Sequence, residues 1–178
     1  LSRRVGVTGW LLVLPACVLL GAFTHLPIVR TLIDSFYSTP RGNRPQRFVG
    51  LDNYEALVAD PIFWKSLWNN LVYAGTSVPV AVTLALAMAL FVNGGILGRG
   101  LLRMAYFTPT VLPMIAVANI WRFFYTPGYG LLDRVLHPFG LGGINWLGSQ
   151  ETALGSLIAV AIWKEAGFFM IFYLAALQ

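Results

Sequence analysis

The run ALGSLIAVAIWKEAGFFMIFYLAAL, residues 153–177, is apolar from end to end except for two adjacent charges, Lys164 and Glu165, near its middle. A bilayer core about 30 Å thick takes ~20 apolar residues as a helix, because only a helix or a closed barrel satisfies the backbone in hydrocarbon. The run therefore predicts a membrane-spanning helix with a buried charged step. Each such charge costs at least ~2.5 kcal/mol on insertion scales, so something must compensate it. Neighbouring helical residues project about 100° apart. On that ground the two side chains are not expected to face one another, and each needs water, a ligand or another helix.

Three further stretches upstream have the same character: residues 9–29, 68–92 and 104–125. The chain is thus expected to be all-α, a polytopic membrane protein with four transmembrane helices in one domain over 1–178. Its composition agrees: 57% hydrophobic, 11% charged and a mean hydropathy of +0.71, against ~25% charged residues in a soluble domain. Arg3 and Arg4 ahead of the first apolar stretch suggest a signal peptide, but that stretch exceeds the usual apolar region and no A-x-A site closes it, so an anchored helix is expected. A net charge of +5 is spread between apolar segments, which points to lipid headgroups and not to nucleic acid. One cysteine, Cys17, and two distant histidines, His25 and His137, give no disulfide framework and no metal site.

Two longer polar segments separate the spans. In 30–67, Ser38 to Arg47 with Pro40, Gly42 and Pro45 reads as loop. Asp52 or Asn53 is then expected to cap a short helix, and Asp60-Pro61 repeats the start signal. Phe63, Trp64 and Trp68 suit the membrane surface. Segment 126–152, rich in Gly and Pro, is expected to be a second loop with a short helix near Leu131 to Leu136. Arg122 and the aromatics Phe123, Phe124 and Tyr125 are read as anchors for the end of the third span.

That span holds Pro109 and Pro113 in FTPTVLP. Each proline removes a donor and crowds the carbonyl four residues back, so a kink exposing the carbonyls of Ala105 and Pro109 is expected. At 1.5 Å per residue, Pro113 lies about 14 Å and Lys164 about 20 Å from the same side, both near the midplane where transport sites sit. Gly75, Thr76, Ser77 and the run ALALAMAL in the second span suit close helix packing. The sequence holds no GxxxxGK[ST], GxSxG or HExxH motif, so no catalytic residues are assigned and a nucleotide-driven process would need another chain. A membrane enzyme using Lys164 and Glu165 as acid and base, or a structural subunit with that pair as its polar centre, is the competing reading.

Three stretches carry a family resemblance: FVGLDNYEALVADPIFW at 48–64, LRMAYFTPTVLP at 102–113 and IWKEAGFFMIFYLAALQ at 162–178, with Pro15 and Pro27 in the first helix. With these the chain resembles the permease subunits of carbohydrate-type ABC importers, the group that includes the maltose and glycerol-3-phosphate transporters. The resemblance implies part of a six-helix permease fold in the bacterial inner membrane, with the N-terminus in the cytoplasm. The positive-inside count does not decide this, since 30–67 holds five basic residues and the N-terminus and 93–103 hold two each. The implied partners are a second permease subunit, two ATPase subunits that bind ATP and Mg, and an extracytoplasmic solute-binding protein. No cofactor is implied in this chain, and ATP-driven alternating access is the implied mechanism.

Matching the maltose permease motif by motif implies a solute path at Thr110, Met114, Ala161, Lys164, Glu165 and Phe168, with Phe168 able to stack on a sugar. Lys164 and Glu165 replace uncharged residues of the maltose pattern, which shifts the expected solute to a phosphorylated polyol or a differently hydroxylated sugar. The family pattern runs on past AALQ into a loop that docks the ATPase, so the chain is expected to be C-terminally incomplete.

Overall fold

The computed structural model describes residues 2–40 and 45–177; Gly42, assigned to a loop above, and the terminal Gln178 lie outside the described residues. The chain divides into two compact units, Leu1–Lys65 and Ser66–Gln178.

In the first unit, α1 (Ser2–Leu20), a π-helical turn (Gly21–His25) and α2 (Leu26–Asp34) follow one another directly. Gly9–Asp34 is long and apolar enough to cross a membrane, five residues beyond the end expected from the sequence. The π turn sits just before Pro27. A proline crowds the carbonyl four residues back, and widening that turn, so that Leu26 N–H bonds the Gly21 carbonyl, relieves the crowding without ending the helix. His25 Nδ1 donates to the Leu20 carbonyl at 3.0 Å and holds the widened turn.

Beyond α2, Tyr37 and Phe48 form an isolated antiparallel bridge, and α3 (Asp52–Ala59) follows. The helix is where the sequence reading put it, but its capping differs. Leu51 is the N-cap residue and no side chain caps the helix. Asn53 instead donates to the carbonyls of Ser35 at 2.8 Å and Tyr37 at 2.9 Å, tying α3 to the end of α2. Those carbonyls belong to a chain that has just left its helix, and an amide with two donors satisfies both.

The start of α4 (Pro61–Asn93) agrees with the sequence: Asp60 Oδ1 accepts from Ile62 N–H at 2.8 Å, and Pro61 needs no partner. Ser77, Ala81, Ala85 and Ala89 are buried along one i+4 row. Ala85 and Ala89 meet Met170 and Leu174 of α8 (Ala153–Ala176) in the core of the second unit, as close packing through small residues requires.

The third expected span is not one kinked helix. It is α5 (Arg99–Val111) and α6 (Met114–Phe124), bent by 101° across Leu112 and Pro113. Proline disfavours the helical region for the residue before it, and here Leu112 is extended at φ −65°, ψ 132°. Pro113 is also extended, at ψ 142°, which turns a kink into a break. Among the described residues three helices are therefore long and apolar enough to span a membrane, and a fourth span exists if the bent pair is one crossing. The short α7 (Leu131–Leu136) lies at the expected place. Its Asp133, 4% exposed, accepts from Gly143 N–H and closes the loop after it.

Candidate functional site

The break leaves the last carbonyls of α5 and the first N–H groups of α6 without intrahelical partners. Pro113 supplies part of the remedy, its carbonyl accepting from Ala116 N–H at 2.9 Å and Val117 N–H at 3.1 Å. Irregular backbone at membrane depth is tolerated where protein or a cavity surrounds it. Here α8 packs beside α5. Pro109 is buried, whereas Pro113 is exposed.

Of the expected path residues, the structure brings Thr110 and Lys164 together: Thr110 Oγ1 donates to the Lys164 carbonyl at 3.0 Å. Ala161 is half-buried on the same helix as Lys164. Met114, 65% exposed, opens α6 on the far side of the break. Phe168 is exposed and packs edge-on against Phe172 with centroids 5.0 Å apart, and against Phe169 at 5.7 Å.

The charged step corrects one expectation. Lys164 Nζ lies 3.4 Å from Glu165 Oε1, so the two side chains do meet. The 100° argument governs where Cβ atoms point, but the four-carbon lysine stem bends round far enough to bring its ammonium to a neighbouring carboxylate. At 3.4 Å the contact is longer than a good N–H···O bond. The lysine side chain is 17% exposed and the glutamate 45%, so the surface presented is mainly carboxylate. Arg122 is exposed and, among the described residues, makes no ion pair with Glu165.

Gly167 received no role from the sequence. A Cβ there would overlap the Tyr106 carbonyl oxygen and lie 2.9 Å from the Tyr106 carbonyl carbon and 3.2 Å from Phe107 Cα, so α5 and α8 meet backbone to backbone. The available signal was a glycine in mid-helix, one turn from the charged step. Also unforeseen is an aromatic cluster between α6 and the N-terminal half of α8. Trp121 stands edge-on to Trp163 at 5.5 Å and beside Tyr125 at 5.3 Å, and Tyr125 lies 6.2 Å from Trp146. Tyr125 OH donates to the Ser156 carbonyl at 3.0 Å. No group of three or more metal-ligating side chains occurs among the described residues.

A small-residue helix row, a proline-broken helix and a charged pair at the middle of a neighbouring apolar helix mark the chain as a polytopic membrane protein. No family model matches the chain. It is 36% identical over 181 residues to the lactose transport system permease protein of Rhizobium radiobacter, covering 100% of this chain and 60% of that protein. It is 32% identical to the sulfoquinovosyl glycerol transport system permease protein of Agrobacterium fabrum, covering 94% and 55%, and 31% identical to the trehalose/maltose permease protein of Thermococcus litoralis, covering 100% and 60%. In fold it is similar to a bacterial ABC transporter involved in the import of the acidic polysaccharide alginate, with a TM-score of 0.79 at 23% identity over 98% of this chain and 59% of that one. The chain belongs to the same family as these permease proteins and spans 55–60% of the length of the three.

Proposed function

We propose that the protein to which this chain belongs is a permease subunit that carries a sugar or sugar-like solute across the bacterial inner membrane by ATP-driven alternating access. The observation that carries the reading is the proline-broken α5–α6 segment set against the charged step of α8, in a chain matched along its whole length by sugar permeases. The N-terminus lies in the cytoplasm. A second permease subunit completes the pathway, two ATPase subunits bind ATP and Mg, and an extracytoplasmic solute-binding protein delivers the solute. A related alginate transporter structure includes a periplasmic protein bound to an alginate pentasaccharide, which supports a partner of that kind.

Within this chain the path runs past Thr110, Met114, Ala161, Lys164, Glu165 and Phe168. The half-exposed Glu165 accepts from sugar hydroxyls, Lys164 supplies a cation that suits a phosphorylated polyol or another polar sugar, and Phe168 offers a ring edge or face to a pyranose. Broken helices near the midplane serve this purpose because their freed backbone groups face a hydrated space. The test is uptake into proteoliposomes holding the full-length protein and its partners, which should require both ATP and the binding protein. Lys164→Ala and Glu165→Ala should each change solute-stimulated ATPase activity about tenfold, the loss of one charge-assisted hydrogen bond, in complexes that assemble normally. Unchanged stimulation and transport in both variants would remove the pair from the path.

A further inference from the structure

Two threonines within these helices, and one just past the end of α6, bond back to the turn before them. Thr83 donates to the Pro79 carbonyl, Thr108 to Met104 and Thr126 to Arg122, each at 2.7 Å and each four residues back. That is the usual refuge for a hydroxyl in a helix. Thr110 departs from it and reaches across to the Lys164 carbonyl on α8. One turn earlier on α5, at Tyr106, the backbone of Gly167 lies so close that no side chain fits between the helices. These two fixings, four residues apart on α5 and three apart on α8, bracket the helix faces where the charged step emerges. By contrast α6 meets α8 through aromatic rings and the Tyr125 hydroxyl. Ring pairs stay favourable over centroid separations of about 4.5–7 Å, which leaves room for sliding, whereas a backbone contact without side chains leaves none.

We infer that Thr110 and Gly167 are positioning residues that lock α5 to α8, so that the Lys164–Glu165 pair moves with α5 as one body while α6 changes its angle at Leu112–Pro113. The inference rests on the transport cycle proposed above. It gives the Thr110 hydroxyl the role of holding α8 in place, the solute meeting the side chains that α8 then presents.

The experiment is a set of spin-label distances in the full-length protein assembled with its partners in nanodiscs, without nucleotide and with ATP trapped. Labels at the exposed positions Leu101 and Phe172 report α5–α8, and labels at Ile115 and Phe172 report α6–α8. The first distance should stay fixed while the second shifts. A first distance that changes as much as the second, or a cycle in which neither changes, overturns the proposal. Thr110→Val keeps the shape and removes the donor. It should broaden the Leu101–Phe172 distribution and raise the half-saturating solute concentration about fivefold, the loss of one neutral hydrogen bond, and Thr110→Ser should restore both. If Thr110→Val alters solute affinity and leaves that distance untouched, the hydroxyl contacts solute directly and the locking role is wrong; no effect on either readout also overturns it. The distances are read whether or not solute moves, so failed uptake by the wild-type complex counts against the importer reading alone.

Discussion

The two halves of α8 are held by opposite means. The C-terminal half, from Lys164 to Leu174, is packed against small groups and bare backbone: Gly167 on Tyr106, and Met170 and Leu174 on Ala85 and Ala89. The N-terminal half, from Ser156 to Trp163, is held by the Trp121 ring 5.5 Å from Trp163 and by hydrogen bonds linking Ser156 to the Tyr125 hydroxyl and the Trp146 carbonyl. Hydrocarbon supplies no hydrophobic drive between helices, so association depends on close van der Waals fit and interhelical hydrogen bonds. Small residues give the tightest fit and the least tolerance. Large rings cover more surface and leave more freedom.

The severest way to break this contrast is Gly167→Leu, which sets a branched side chain where not even a methyl group fits. It should cost about 3 kcal/mol or more and strip most monodisperse protein from a detergent size-exclusion profile; normal yield would mean that the close approach is not maintained in the membrane. Pro113→Ala acts on the break between α5 and α6, the helices that hold the two halves. By returning a backbone donor and lifting a restriction worth about 3 kcal/mol in a helix, it should straighten the 101° bend and lengthen a Leu101–Ile120 label distance by several ångströms. On the aromatic side, Trp163→Leu should lower thermal stability by only about 0.5–1.5 kcal/mol, the edge-on ring term. Tyr125→Phe should be smallest, about 0.5–1 kcal/mol for one hydrogen bond. If either aromatic change cost more than Gly167→Leu, the assignment of rigid and tolerant halves would be reversed.

Much of the fold was legible because its causes are local. Apolar length marked the spans, Asp60-Pro61 marked the start of α4, and Pro113 marked the position of the break, though not its size. The 101° angle comes with both Leu112 and Pro113 in extended conformation, which the presence of a proline does not by itself dictate. The polar groups were less legible. Asn53 looked like a helix cap and proved to be a tie to two carbonyls of residues far upstream. Lys164 and Glu165 were placed correctly at the midpoint of their helix, yet their mutual contact depends on side-chain rotamers that spacing rules do not reach.

By itself the amino-acid sequence determined which segments are helical, which of them suit a bilayer, where proline interrupts them and that two charges lie at mid-span. These follow from backbone hydrogen bonding and hydrocarbon length, which act on a segment in isolation. Only the tertiary structure decided that Gly167 is where two backbones touch, that Thr110 spends its hydroxyl on α8 and that the tryptophans gather on one half of that helix. Those facts depend on which residues of separate helices arrive at the same place, and no property of one helix alone specifies that.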